Sequence, residues 1–245
     1  MLMKKIFSAA LCLACLFAFC SVGLAEPAQD EFLEQIAGTY VELFPEMSKE
    51  EYRDDWLSAV TPLVGEENAE ATVDQLLSGC MGELYGEEAI AKYEADPESM
   101  QFNCYYIGGI DKITVEGNVI SGVDEAGNEV FRHSYSPMNL ENENGFLFYQ
   151  SDDADAGQFS YFAFSPDTME TTCHMEFRYA GNTDDLQSWF EGAYAYWNVG
   201  AIAEDYTEEQ MIGAINLFAT ENLAEAEEAG ETEAAEPAAE VQEAA

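Results

Sequence analysis

The segment TTCHMEFRYAG, residues 171–181, carries the side chains of this sequence that are best suited to binding an ion. His174, Glu176 and Arg178 alternate there with a thiol, a thioether and two aromatic side chains. In a β-strand, residues i and i+2 share a face and lie about 6.6 Å apart along the chain. An imidazole and a carboxylate at this spacing can converge on one metal ion. The pattern predicts a strand whose polar face lines a barrel lumen and whose apolar face packs beneath helices.

Plainer roles compete with metal binding on this strand. Glu176 and Arg178 can form an ion pair with each other, and His174 can be a packed barrel residue with its hydrogen bonds satisfied. The other histidine, His133, lies within VFRHSY and shares its parity with two aromatic residues. We therefore expect His133 to pack within a strand, with a role as fourth metal ligand as the alternative.

No catalytic arrangement emerges from the sequence. Cys173 precedes His174 directly, so the two side chains point to opposite faces of a strand and form no nucleophilic dyad. Adjacent carboxylates such as Asp152 and Asp153 carry little information in a chain with 49 acidic residues. We predict that the protein is not an enzyme.

The N-terminus has the layout of a secretory signal peptide. Lys4 and Lys5 form a basic region, an apolar run covers residues 6–19, and Gly23-Leu24-Ala25 is a small-x-small cleavage site. The sequence predicts a signal peptide at residues 1–25, cleavage after Ala25, and a secreted or extracytoplasmic protein.

The chain is strongly acidic, with 49 Asp and Glu against 8 Lys and Arg. Loss of Lys4 and Lys5 with the signal peptide leaves six basic residues and a formal charge of −43. Such a surface repels nucleic acid and anionic membranes and attracts cations, at least as counterions. Solubility in an ion-rich medium is the alternative reason for the acidity.

Cys80, Cys104 and Cys173 remain after signal cleavage. In an exported protein, three cysteines favour one disulfide and one remaining thiol. The sequence leaves open which two are paired.

The pattern of apolar residues and turn residues changes twice along the chain. Helical spacing over residues 30–97 gives way to short, turn-bounded strands over residues 102–179, and helices return over residues 183–219. Ser48 with Glu51, and Thr207 with Gln210, fit capping boxes. We predict an α+β domain over residues 26–220 built on an antiparallel β-barrel, followed by a disordered acidic Ala/Glu tail at residues 221–245.

Several segments together resemble a known family. IAGTYVELFP (36–45) is similar to the entry of lipocalin-like barrels. The order and spacing of the segments at 105–122, 159–167, 173–181 and 186–197 resemble the ZinT (YodA) family over roughly residues 30–218. The resemblance implies an exported zinc-binding protein with a helical front and a lipocalin-like (calycin) barrel. Some members of that family are fused to the binding proteins of zinc importers.

The resemblance also implies where metal ligands lie. The family uses a His-x-His pair on the last barrel strand and another histidine shortly upstream. His174 stands at the first place of the pair, Glu176 at the second, and Asp167 is the nearest upstream match, with a two-residue gap. The family's His-rich N-terminal segment has no counterpart, because residues 26–37 contain no histidine. One nitrogen and two carboxylates form a harder donor set, which shifts preference from zinc toward manganese, iron(II) or calcium.

Three functions follow as hypotheses. The first is an exported protein that binds or buffers zinc or another divalent cation for uptake, with the binding protein of a metal importer as a partner. The second is a metal-free calycin-type barrel that binds an apolar ligand or a protein partner. The third is an acidic extracytoplasmic protein without a specific ligand.

Overall fold

The computed structural model describes residues 31–142, 145–165 and 174–234, with the side chains of the last helix described as far as Leu223. The predicted signal peptide, Asp167, Cys173 and the end of the acidic tail lie outside these ranges. Within them, no helix is both long and apolar enough to cross a membrane.

Helices flank a set of strands on both sides. The helices are α1 Phe32–Gln35, α2 Leu43–Met47, α3 Arg53–Val64, α4 Glu66–Gly79, α5 Glu87–Ala95, α6 Asp184–Gln187 and α7 Glu208–Ala234. The strands are β1 Gly38–Glu42, β2 Lys112–Glu116, β3 Val119–Val123, β4 Glu129–Met138, β5 Leu147–Ser151, β6 Tyr161–Phe164, β7 His174–Ala180 and β8 Val199–Ala203. This is the α+β class that the sequence predicts.

The strands form a closed barrel in sequence order, with each strand antiparallel to the next and β8 paired with β1. The predicted antiparallel barrel with helices before and after it is confirmed. Two strands fall outside the predicted range of residues 102–179: β1, within the helical front, and β8, VGAIA. β8 is built largely from glycine and alanine, which are weak strand formers, so its pairing with β1 and β7 on both sides holds it extended.

The barrel lumen is filled by side chains. One parity of every strand joins a single buried cluster, to which α1 adds Phe32, Leu33 and Ile36. Phe32 packs on the rings of Tyr149 and Phe164, so α1 closes one end of the barrel. An eight-stranded barrel has an interior just wide enough for its own side chains, and here these are mostly aromatic.

A second core lies between the outer barrel wall and the helices. The outward residues Phe148, Ala163 and Ile202 pack with buried residues of the helical layer, among them Phe44, Trp56, Val73, Met211 and Ile215. Because the helical layer covers this part of the wall, the outward residues Phe148, Ala163 and Ile202 are apolar and buried.

One of the two predicted capping boxes forms. The Gln210 N–H donates to Thr207 Oγ1 at 3.3 Å, and the Thr207 N–H donates to Gln210 Oε1 at 2.7 Å. The predicted capping box at Ser48 is wrong. The Ser48 hydroxyl donates to the Pro45 carbonyl at 3.1 Å. Helix α3 begins only at Arg53, after a short 3-10 turn.

The last helix continues past the predicted start of the tail at residue 221. Helix α7 ends at Ala234, and Asn222 and Leu223 are buried. The Asn222 side chain donates to the Phe218 carbonyl at 2.8 Å within the helix. Alanine and glutamate are strong helix formers, so the composition that suggests a tail also allows a helix to continue.

Candidate metal-binding site

Strand β7 presents His174, Glu176 and Arg178 on its outer face. Its other parity, which includes Met175 and Phe177, belongs to the cluster that fills the lumen. Successive side chains of a strand point to opposite faces, so the polar parity projects from the outside of the barrel toward the helical layer. The predicted shared face is confirmed, but the predicted inward orientation is wrong. The narrow lumen accepts the thioether and the rings, whereas a paired charge there would lose its hydration.

Arg178 binds the chain that follows the barrel strand. It is 0% exposed, and its guanidinium donates to the carbonyls of Leu186, Ser188 and Tyr194 at 2.7, 3.0 and 2.7 Å. The guanidinium also lies over the Trp189 ring at 4.7 Å. Burial lowers the pKa of Arg178 to about 9, so it keeps its charge at neutral pH. These bonds anchor residues 186–194 to the barrel wall.

His174 is buried on this outer face, with 8% of its surface exposed. It stands opposite Ile202 of β8, which belongs to the apolar layer beneath the helices. Burial lowers the pKa of the His174 imidazole to about 4. The ring is therefore neutral at pH 7, which is the form in which histidine binds a metal.

Glu176 lies two residues farther along, partly buried and opposite Gly200. The Asn198 side chain donates to Glu176 Oε2 at 3.1 Å and so orients the carboxylate. Glu176 and Asn198 border a small cavity lined also by Phe44, Cys80, Phe102, Cys104, Gly200 and Phe218. A Cβ at Gly200 would lie 2.9 Å from the Phe44 ring, so glycine allows α2 to pack against this wall.

The other candidate ligands are not brought to this face. His133 is on β4, on the parity that faces the barrel interior, stacked on Phe131 and with Nδ1 3.0 Å from Asp153 Oδ2. The barrel wall separates it from His174, so the alternative of a fourth ligand is wrong, and the expectation of a packed strand residue is confirmed. Asp167 lies outside the described residues.

The arrangement offers two donors for a cation. Over residues 31–142, 145–165 and 174–234, no three His, Cys, Asp or Glu side chains lie close enough together to hold a metal ion. His174 supplies a neutral nitrogen, and Glu176 supplies a carboxylate oriented by an amide, as is typical of metal ligands. Asn198 was not predicted, because nothing in the sequence connects this amide to a strand residue 22 positions earlier.

The burial of His174 makes the stability of the metal-free protein depend on pH. Its unfolded pKa is near 6.5 and its folded pKa about 4, so its contribution to stability is complete above pH 6.5 and is lost as the pH falls toward 4. Between about pH 7.5 and 5, the wild type should lose about 2 kcal/mol of unfolding free energy more than His174→Gln. Urea unfolding at both pH values measures this difference, and an equal pH dependence of the two proteins would contradict it.

Comparisons with known proteins find similarity in structure and none in sequence. No family model and no curated protein matches the chain. Among solved structures, the Zn(II)-bound ZinT-like domain of Streptococcus pneumoniae AdcA is similar at 15% identity and a TM-score of 0.47, over 79% of this chain and 94% of that domain. Zn(II)-bound AdcA from Streptococcus pneumoniae is similar at 15% identity and a TM-score of 0.44, over 76% of this chain and 35% of that one. The first of these structures bears the name of the family that the segments at 105–122 and 173–181 resemble.

Proposed function

We propose that this chain is an exported, ZinT-like protein without catalytic activity that binds or buffers a divalent cation for uptake or homeostasis. His174 is the nitrogen ligand, Glu176 is an oxygen ligand, and Asp167 is the third ligand. The observation that carries the proposal is a buried, neutral imidazole on the same face of β7 as an oriented carboxylate. The candidate partner is the binding protein of a metal importer.

The assignment of Asp167 as a ligand starts from the last described residue before it, Ser165. The Ser165 N–H donates to the Glu176 carbonyl at 2.9 Å, so Ser165 lies beside the two ligands on β7. Asp167 is two residues farther along, and two residues span at most about 7 Å. On this ground we assign the third ligand position to Asp167.

The donor set decides which cations are candidates. One imidazole and two carboxylates balance the charge of a divalent ion and form a mixed nitrogen and oxygen site. Zinc accepts such ligands, and oxygen-rich sites also suit manganese, iron(II) and calcium. When bound, the ion is cargo and supplies no chemistry to a reaction.

The alternative function, a metal-free barrel that binds an apolar ligand, is less well supported. Phe162, Phe177 and Trp197 are fully buried in the packed lumen, and a ligand there would have to displace such side chains. A protein partner on the outer surface remains as the alternative for a chain that binds no metal.

Glu176→Gln tests the carboxylate in this site. The amide keeps an oxygen donor but loses the charge, so zinc and manganese affinity should fall by roughly tenfold without disappearing. Glu129→Gln, at an exposed position of β4, makes the same charge change elsewhere and should leave the affinity unchanged.

Titration calorimetry at moderate salt measures these affinities. The proposal predicts one tight site per chain in the wild type. Counterion attraction by an acidic surface would instead give many weak sites whose affinity falls as salt is added, with no difference between Glu176→Gln and Glu129→Gln. That result would overturn the proposal.

A further inference from the structure

Two of the three cysteines outside the predicted signal peptide meet beside the barrel. Cys80 follows the end of α4, and Cys104 precedes β2 by a loop. Both are buried, at 2% and 7% exposure, and both line the small cavity that Glu176 borders. Their side chains therefore face one small shared space, although 23 residues separate them in sequence.

The backbone places these cysteines opposite each other. Met81 and Asn103 form an antiparallel bridge, and the Gly82 N–H donates to the Phe102 carbonyl at 2.9 Å. In that antiparallel register, Cys80 stands across from Cys104. Opposed residues of an antiparallel pair have Cα atoms about 4.5–5.5 Å apart, within the roughly 4.4–6.8 Å that a disulfide requires.

Cys104 belongs to a segment held against the barrel. The Asn198 N–H donates to the Asn103 carbonyl at 3.0 Å, and the Gly200 N–H donates to the Cys104 carbonyl at 3.2 Å. A covalent bond from Cys80 to Cys104 would therefore tie the end of α4 to the wall formed by β8. It would also fix the loop of residues 81–103, which carries α5.

We propose that Cys80 and Cys104 form a disulfide that fastens the helical layer to the barrel, and that Cys173 remains a thiol. This inference goes beyond the proposed function and does not rest on metal binding. The oxidant is a small-molecule or protein disulfide. One cysteine thiolate attacks it, forming a mixed disulfide and releasing one thiol. The second thiolate then attacks the mixed disulfide, forming the Cys80–Cys104 bond and releasing the second thiol. The oxidant gains two electrons and the two protons that the cysteines lose.

The tryptic map of this chain identifies the pair directly. Cleavage after Arg53, Lys92, Lys112, Arg132 and Arg178 places Cys80 in peptide 54–92, Cys104 in peptide 93–112 and Cys173 in peptide 133–178. The full chain is recovered after export and incubated with oxidised and reduced glutathione. Remaining thiols are alkylated under denaturing conditions before digestion, and the peptides are analysed by mass spectrometry without reduction.

The proposal predicts a cross-link between peptides 54–92 and 93–112, with an alkylated Cys173. A loop of this length should raise the melting temperature of the oxidised protein by about 10 °C over the reduced protein. Cys173→Ser should keep both the cross-link and the shift, whereas Cys80→Ser should melt like the reduced wild type. A cross-link to peptide 133–178, or three alkylated cysteines, would overturn the proposal.

Discussion

Arg178→Met is expected to lower the melting temperature by about 10 °C, which corresponds to about 3 kcal/mol for a domain of this size. The carbonyls of Leu186, Ser188 and Tyr194 all accept hydrogen bonds from this one guanidinium. Methionine fills a similar volume without donors, so three carbonyls on a partly buried segment lose their partner. A hydrogen bond to a charged group contributes about 1.5–3 kcal/mol. The variant no longer bears the cost of burying a charged guanidinium, and this offsets part of the loss in stability.

Arg132→Met is the matched control for this change. Arg132 lies on β4, and half of its side chain is exposed. Among the described residues its only ion pair is with Glu116, at 3.6 Å between Nη2 and Oε2. Such surface pairs contribute about 0–1 kcal/mol, so the control should melt within about 2 °C of the wild type. Calorimetric melting of the three proteins measures the difference. Equal melting temperatures for Arg178→Met and Arg132→Met would show that Arg178 does not anchor residues 186–194.

His174→Ala is expected to weaken zinc binding by at least about a hundredfold, because it removes the only nitrogen donor of the proposed site. The imidazole is already neutral and buried in the folded chain, so zinc binding requires no deprotonation of this ring at pH 7. Glu176 and Asp167 would remain as a pair of carboxylates, which resembles many other places on this acidic surface.

His133→Ala is the control for the loss of a histidine. His133 lies on β4 beside Asp153 and on the other side of the barrel wall, so its removal should leave zinc affinity unchanged. Calorimetric titration of zinc into the wild type and both variants measures this. Circular dichroism spectra of all three proteins show whether the fold is retained. An equal loss of zinc affinity in the two variants, or no loss of zinc affinity in either, would contradict a site centred on His174.

The local features of the barrel could be predicted from sequence. The β2–β3 hairpin follows from branched residues on both sides of Glu116-Gly117-Asn118. In the structure Glu116 still belongs to β2, and Gly117 and Asn118 form the turn before Val119. The same periodicity separates the two faces of β7. It does not reveal which face points inward, because lumen and helical layer both bury the strand. The orientation of β7 depends on the narrow lumen, which Met175, Phe177 and Tyr179 help to fill.

Features that depend on distant parts of the chain could not be predicted. β8 has weak strand propensity and forms because β1 and β7 are in place on either side. The contact of Asn198 with Glu176 and the register that opposes Cys80 to Cys104 both depend on how the segment at 103–104 lies along the barrel. No local pattern encodes these pairings.

Crystals soaked in zinc and measured at the zinc absorption edge test the proposed site most directly. We expect one strong anomalous peak per chain on the outer face of β7, about 2.0–2.2 Å from a His174 ring nitrogen and from a Glu176 oxygen. The Asp167 carboxylate should complete the protein ligands. Anomalous peaks found only at scattered surface carboxylates, with none beside His174, would contradict a metal site on β7.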